Sequence, residues 1–189
     1  MSKTPIGIAL TGSFCTFDTV LKALAPLTEV YELYPIMSPT SYESDTRFGT
    51  AADFRRRLTE LCGREIWHTI PEVEPIGPKK IIEALLIAPC TANTLAKLAL
   101  GVADTAVTMA AKSTLRNERP VILALSTNDA LSGAAKNIGV LQAMRNYYFV
   151  PYGQDNAQEK PRSCVAHFDL LLPTVEAALK SEQLQPILQ

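Results

Sequence analysis

Apolar residues run along this chain in two rhythms. Short apolar runs at 6–10, 85–88 and 121–125 alternate with stretches in which apolar positions recur every three or four residues. An unbroken run of four or five apolar residues fits a strand covered on both faces of a parallel sheet, and the three-to-four spacing fits a helix with one buried face. The run at 85–88 organises the rest. Pro89 cannot donate to a sheet ladder, so the strand is expected to end there. Thr91 or Asn93 can cap the helix that follows, whose Leu95, Leu98 and Ala99 share one face, and Gly101 stops it. A strand end feeding a helix N-terminus aims free N–H groups at one point, which favours an anion. The same spacing also fits a capped junction with no ligand.

The remaining segments follow the same alternation. The strand at 6–10 leads through Thr11-Gly12-Ser13 to a helical pattern of Phe14, Phe17, Leu21, Leu24 and Ala25, ended by Pro26. Residues 29–34 alternate as a second strand, and 36–42 read as a hydroxyl-rich loop. Thr50 opens a helix carrying Arg55, Arg56, Arg57, Leu58 and Leu61. Further on, 65–68 read as a short strand, 71–78 as an irregular connection and 79–83 as a helical turn. Helices are predicted at 102–115, 132–144 and 168–179, strands at 121–125 and 147–150, a polar loop at 152–161 and a frayed end at 183–189. Strand and helix alternate without internal repeat, which predicts an α/β fold: one Rossmann-like parallel sheet with helices on both faces, spanning 1–189 as a single domain.

Four strand ends carry hydroxyl and amide groups: 11–13, 37–41, 90–94 and 126–128. Open α/β sheets bind ligands at that edge, and mostly neutral donors and acceptors suit a phosphate with a flat heteroaromatic ring. The full G-x-G-x-x-G pattern is absent, as is a G-x-S-x-G nucleophile elbow.

Composition narrows the classes. A net charge of −1 gives no electrostatic reason for nucleic-acid or anionic-membrane binding. No apolar run approaches the roughly 20 residues of a membrane span, and residues 1–5 lead directly into the first strand, not into a signal peptide, so a cytoplasmic protein is expected. Four separated cysteines, Cys15, Cys62, Cys90 and Cys164, and two distant histidines, His68 and His167, have no metal-ligand spacing. The arginine run 55–57 fits a solvated helix face. Arg47 fits either a surface ion pair or a bidentate contact to an anion.

The segment from Ala88 to Asp104, Ala-Pro-Cys-Thr-Ala-Asn-Thr-Leu-Ala-Lys-Leu-Ala-Leu-Gly-Val-Ala-Asp, resembles the P-x-S-A-N-T…K…G-x-A-D signature of the flavoprotein superfamily. That superfamily holds flavin-dependent cysteine decarboxylases and flavin prenyltransferases. The resemblance extends along most of the chain, through the Thr11-Gly12-Ser13-Phe14-Cys15 loop, Pro35-Ile36-Met37-Ser38, Ile76-Gly77-Pro78 and Ser126-Thr127-Asn128-Asp129. It implies a flavodoxin-like fold, FMN as cofactor and a homo-oligomer with flavin sites near subunit contacts. Gly12, Ser13 and Ser38 are then near the phosphate and ribityl chain. Thr91, Ala92, Asn93 and Thr94 line the flavin, with Thr127 and Asn128 on its far side. Phe14 and Cys90 complete the implied cofactor set.

Within the superfamily these loops look most like a subunit that works beside a dehydrogenase-like A subunit, converting a cyclic dihydro precursor to an aromatic dicarboxylate. By that reading Asn93 is the candidate catalytic residue, hydrogen-bonding a carbonyl or a developing negative charge. Lys112, Arg116, Arg47 or Lys136 are candidates to meet substrate carboxylates. Cys90 is either a thiol activated by the helix N-terminus or buried packing. Three departures separate this chain from the decarboxylases: His68 stands further upstream than the usual His, Thr127 replaces a Met, and Cys90-Thr91 stands where a small residue and Ser are usual. The alternatives are a binding partner of the A subunit without chemistry of its own, and a stand-alone flavin-dependent decarboxylase.

Overall fold

The computed structural model describes residues 3–189; Met1 and Ser2, placed by the sequence reading ahead of the first strand, lie outside the described residues. Seven strands form one sheet: β1 Thr4–Leu10, β2 Tyr31–Met37, β3 Ala84–Cys90, β4 Val121–Thr127, β5 Tyr147–Phe149, β6 Tyr152–Gly153 and β7 Cys164–Ala166. The order is β2-β1-β3-β4-β7-β6, with β5 also paired to β4. β1 to β5 run parallel, as the alternation predicts. Every residue of β3 and β4 is buried, as their unbroken apolar composition requires of strands covered on both faces.

The helices are α1 Phe17–Val30, α2 Pro39–Glu43, α3 Ala51–Cys62, α4 Ile70–Val73, α5 Ile76–Lys79, α6 Ala92–Ala99, α7 Ala106–Arg116, α8 Ala135–Ala143 and α9 Leu171–Ala178. α1 packs against α3, α9 and the sheet, whereas α7 gathers α4, α5 and α6, and α6 lies against α8. Phe17, Leu24 and Leu27 of α1 and Phe54 and Leu58 of α3 are fully buried or nearly so. Phe17 and Phe54 meet edge to face at 4.8 Å.

The prolines depart from the sequence reading, each for a local reason. α1 does not stop at Pro26 but continues to Val30. Pro26 is exposed, and Leu27 beyond it is fully buried, so packing of the next turn outweighs the lost backbone bond. Pro35 lies inside β2, which is an edge strand where a missing N–H is tolerated. Pro89 stays inside β3, at the point where the β3–β4 register shifts between Ile87 and Cys90. Its carbonyl accepts from the Thr11 hydroxyl at 2.8 Å.

Other boundaries move. The hydroxyl-rich segment after β2 is not a loop: Ser38 caps the short helix α2, accepting from Ser41 N. The predicted strand at 65–68 is a single bridge between Trp67 and Ile36. The helical turn expected at 79–83 falls earlier, as α4 and α5. The helix expected at 102–115 starts at Ala106, because Thr105 is its cap, and the helix expected at 132–144 starts at Ala135 after a turn.

Two segments expected to be irregular are ordered. β6 and β7 form an antiparallel hairpin across the predicted polar loop, and β7 pairs antiparallel with Ser126 and Thr127 of β4. The chain end docks along β6, with Tyr152 N donating to Ile187 O at 3.0 Å and Gln189 N to Tyr152 O at 3.1 Å.

Candidate functional site

The C-terminal ends of β1, β3 and β4 are tied side by side by their own hydroxyls. Thr11, after β1, donates from Oγ1 to Pro89 O and accepts from Thr91 N at 3.0 Å, so the first and third strand ends share one buried hydroxyl. Ser13 and Ser126 place their Oγ atoms 2.6 Å apart, joining the β1 loop to β4. Thr91 caps α6 by accepting from Thr94 N. These bonds fix the loops without consuming Asn93, which is exposed and makes no side-chain hydrogen bond among the described residues.

The loops enclose a cleft of about 790 Å³, within the range of small-molecule and cofactor sites. Gly12, Ser13, Phe14, Thr91, Ala92, Asn93, Thr127 and Asn128 all line it. Ser38 and Thr94 line instead an adjoining cleft of about 460 Å³, which shares Gly12, Thr91 and Asn93 with the first and adds Thr40, Lys97 and Thr105. A side chain at Gly12 would stand between the two, its Cβ 3.3 Å from Thr40 Cγ2 and 3.6 Å from the Phe14 ring. The glycine therefore keeps the passage open. This continuous, hydroxyl-rich trough has apolar walls from Phe14, Phe48 and Val165 and the start of α6 at its centre. Its residues fit a phosphorylated heteroaromatic such as FMN.

Of the implied cofactor set, Cys90 alone lines neither cleft. It is fully buried, and burial pushes its thiol well above the ordinary range, so it is core packing and not an activated nucleophile. Cys15 is the exposed thiol at the cleft, with Sγ 3.9 Å from Ser13 Oγ.

The four candidate cations do not reach the site. Lys112, Arg116 and Lys136 are exposed on α7 and α8 and line neither cleft. Arg47 lies over the Phe48 ring at 4.8 Å, so it flanks the cleft through its neighbour, in neither an ion pair nor an anion contact among the described residues. The helix-face reading of 55–57 holds for Arg56 and Arg57, which pair with Asp53, Glu60 and Asp18. Arg55 instead lies over the Tyr42 ring. His68 stacks on that same Tyr42 ring, at 3.8 Å and 2° between planes, and also lines neither cleft.

The charged groups at the site are ones the sequence reading did not single out: two from the segment read as a polar loop, two from the signature segment 88–104. The β6–β7 connection brings Asp155, Lys160 and Ser163 to the large cleft, with Lys160 Nζ 3.2 Å from Asp155 Oδ2. Desolvation acts on the Asp155 carboxyl, but hydrogen bonds from Ser163 and Lys160 outweigh it and hold it below the ordinary carboxylate range. In the small cleft Lys97 pairs with Asp104 through both oxygens, at 2.8 and 2.9 Å. Its hydrogen bond, foremost, lowers the Asp104 carboxyl. The signal that could have found the hairpin is the Tyr-Gly and Cys-Val-Ala pair flanking a polar decapeptide, too short for periodicity to register.

Among the described residues, no helix is long and apolar enough to cross a membrane. A family model described as Flavoprotein matches residues 1–170. The chain is 44% identical over 184 residues to the B subunit of dipicolinate synthase from Bacillus subtilis (strain 168), covering 97% of this chain and 92% of that one. Among solved structures it resembles the dipicolinate synthase B subunit from Bacillus halodurans C, at 40% identity and a TM-score of 0.91, covering 100% of this chain and 97% of that one. The FMN-dependent cysteine decarboxylase SpaF shares the fold at a TM-score of 0.68 and 21% identity, covering 95% of this chain and 97% of its own. With its strand-end trough and a family match across nearly its whole length, the chain belongs to the flavoprotein family.

Proposed function

We propose that this chain acts as the B subunit of a dipicolinate synthase. In this reading it works in the cytoplasm of a sporulating cell, as a homo-oligomer beside a dehydrogenase-like A subunit, and forms dipicolinic acid from a dihydrodipicolinate-type precursor. The observation that carries the reading is 44% identity to a dipicolinate synthase B subunit across nearly the whole of both chains. FMN is the cofactor the trough best suits, and when bound it supplies two-electron redox chemistry.

The chain's own residues do the positioning. Ser13 and Ser38, in adjoining clefts on either side of Gly12, offer hydroxyls to the phosphate and ribityl chain. The N–H groups at the start of α6 favour negative charge in the trough. Asn93, whose amide is free of protein partners among the described residues, would be the group to donate a hydrogen bond to charge developing on bound cofactor or substrate. Phe14, Phe48 and Val165 would give the trough an apolar wall against which a bound ring could be shielded from water. His68 lining neither cleft supports a role other than cysteine decarboxylation, and it favours one second reading, a supporting partner of the A subunit without chemistry of its own.

The test is an absorbance titration of the purified chain with FMN in the flavin bands, followed by dipicolinate formation with the A subunit present. Saturable flavin binding and flavin-dependent product formation are expected. Absence of binding at saturating FMN would remove the cofactor assignment. Unchanged yield with a flavin-free chain would leave the supporting-partner reading.

A further inference from the structure

The large cleft holds a minimal charge pattern. Among its lining residues only Asp155 and Lys160 are charged, and they face each other at 3.2 Å. Both come from the β6–β7 connection, whose backbone is held by its own bonds. Lys160 N donates to Asn156 O at 2.8 Å, Glu159 N to Asn156 Oδ1 at 3.0 Å, and Gln154 Nε2 to Pro161 O at 2.9 Å. The ammonium therefore hangs from a fixed turn on a side chain that is 60% exposed and makes one contact with its acidic partner. Lys97 in the neighbouring cleft is the opposite case: its side chain is 25% exposed and is held by both oxygens of Asp104. An entering anion would have to break two short bonds to claim Lys97 and one longer bond to claim Lys160.

We infer that Lys160 is the specificity residue for a substrate carboxylate in the large cleft, and that Asp155 is its gatekeeping competitor. The inference rests on the dicarboxylate reading of function above. A ligand with two carboxylates would leave one near the donors at the start of α6 and turn the other towards Lys160, displacing Asp155. A monocarboxylate can satisfy the α6 end alone and has nothing to offset the Lys160–Asp155 pair. Selection between diacid and monoacid is then set at position 160, while the flavin-facing residues stay the same. The fixed turn matters here, because a lysine on a backbone already held in place loses less freedom on binding.

The experiment uses the full chain, alone and saturated with FMN, and measures binding of pyridine-2,6-dicarboxylate and of pyridine-2-carboxylate by calorimetry. Wild type is expected to prefer the diacid. Lys160→Met should weaken the diacid by roughly five- to tenfold, as for a partly exposed charge-assisted contact, and bring the ratio of the two affinities towards one. Lys160→Arg should restore most of the ratio. Asp155→Asn should strengthen the diacid by a few-fold, because the competing carboxylate is gone. An unchanged ratio in Lys160→Met overturns the inference, as does a wild type that binds neither acid with or without FMN. An FMN titration of wild type reports separately on the cofactor reading: failure of flavin binding there counts against that reading and not against Lys160.

Discussion

Thr91 and Asn93 stand two residues apart on the same strand-to-helix turn, and the structure gives them opposite work. The Thr91 hydroxyl is used by the protein: it accepts from Thr94 N and lies 3.4 Å from Thr11 Oγ1. Removing an N-cap of this kind costs about 1 kcal/mol, so Thr91→Ala should lower the urea midpoint accordingly. Asn93 is exposed and without a side-chain partner among the described residues, so Asn93→Ala should leave stability within about 0.5 kcal/mol of wild type. Its effect belongs in ligand binding, where loss of one hydrogen bond to a developing charge should lower FMN affinity or dipicolinate yield about tenfold. Unchanged flavin content and yield would show that Asn93 is a bystander. Both residues were legible as cap candidates in the sequence. What the sequence left open was which one caps, since either fits the spacing; the answer depends on Thr11, far away in the chain and one hydrogen bond away in space.

At the scale of elements, the sequence was most legible where burial is symmetrical. The apolar runs of β3 and β4 suit strands covered on both faces, and the structure makes them so. It was least legible at the prolines and towards the chain end. Pro26 reads as a stop, yet α1 passes through it because Leu27 is buried on the far side. An exposed proline near a helix end should still weaken it, so Pro26→Ala is expected to stabilise the protein by about 1 kcal/mol in urea denaturation. A destabilised variant would mean that the rigidity the ring lends the chain matters more than the missing bond. The chain end gave no periodic signal because it pairs through one backbone bridge to β6 and one side chain to β5, not through a strand of its own. Gln183 accepts from Phe149 N at 2.8 Å and donates to Phe149 O at 2.7 Å, so one amide stands in for a strand on the outer edge of β5. Gln183→Ala should cost about 1–2 kcal/mol and speed amide exchange at Phe149, whereas Gln183→Glu should lose the donor half.

At the scale of the molecule, β4 is where the two halves of the architecture divide. Its first residues pair with β5 in the parallel sheet, and its last two pair with β7 in the antiparallel hairpin that carries Asp155 and Lys160 to the cleft. The sequence reading found the parallel part, and with it most of the trough, because strand ends of a parallel sheet share one edge whatever their order. It missed the hairpin, and so the large cleft's only charged pair among the described residues, because two- and three-residue strands have no period to detect. The same central position is expected to make the sheet sensitive to alkali. Cys90 closes β3 next to β4 with its side chain wholly inside, and burial pushes its thiol up. In the unfolded chain that thiol loses its proton near its ordinary value of about 8.5, while the folded chain keeps it. Above that pH the unfolded state binds fewer protons than the native state, so unfolding is favoured. The contribution is intact below about pH 8 and declines as pH rises, approaching about 1.4 kcal/mol per pH unit for one thiol. Tyr147, pushed to about 12 by burial first and by Cys90 second, adds to the slope once the unfolded tyrosine titrates near pH 10. Cys62 shifts in the same direction but keeps some solvent contact, which makes Cys90 the cleaner probe. Urea midpoints of wild type should therefore fall between about pH 8 and 10. Cys90→Ala should start lower, from the cavity it leaves, yet fall less steeply over the same interval. Parallel slopes for the two proteins would place the alkaline sensitivity elsewhere in the fold.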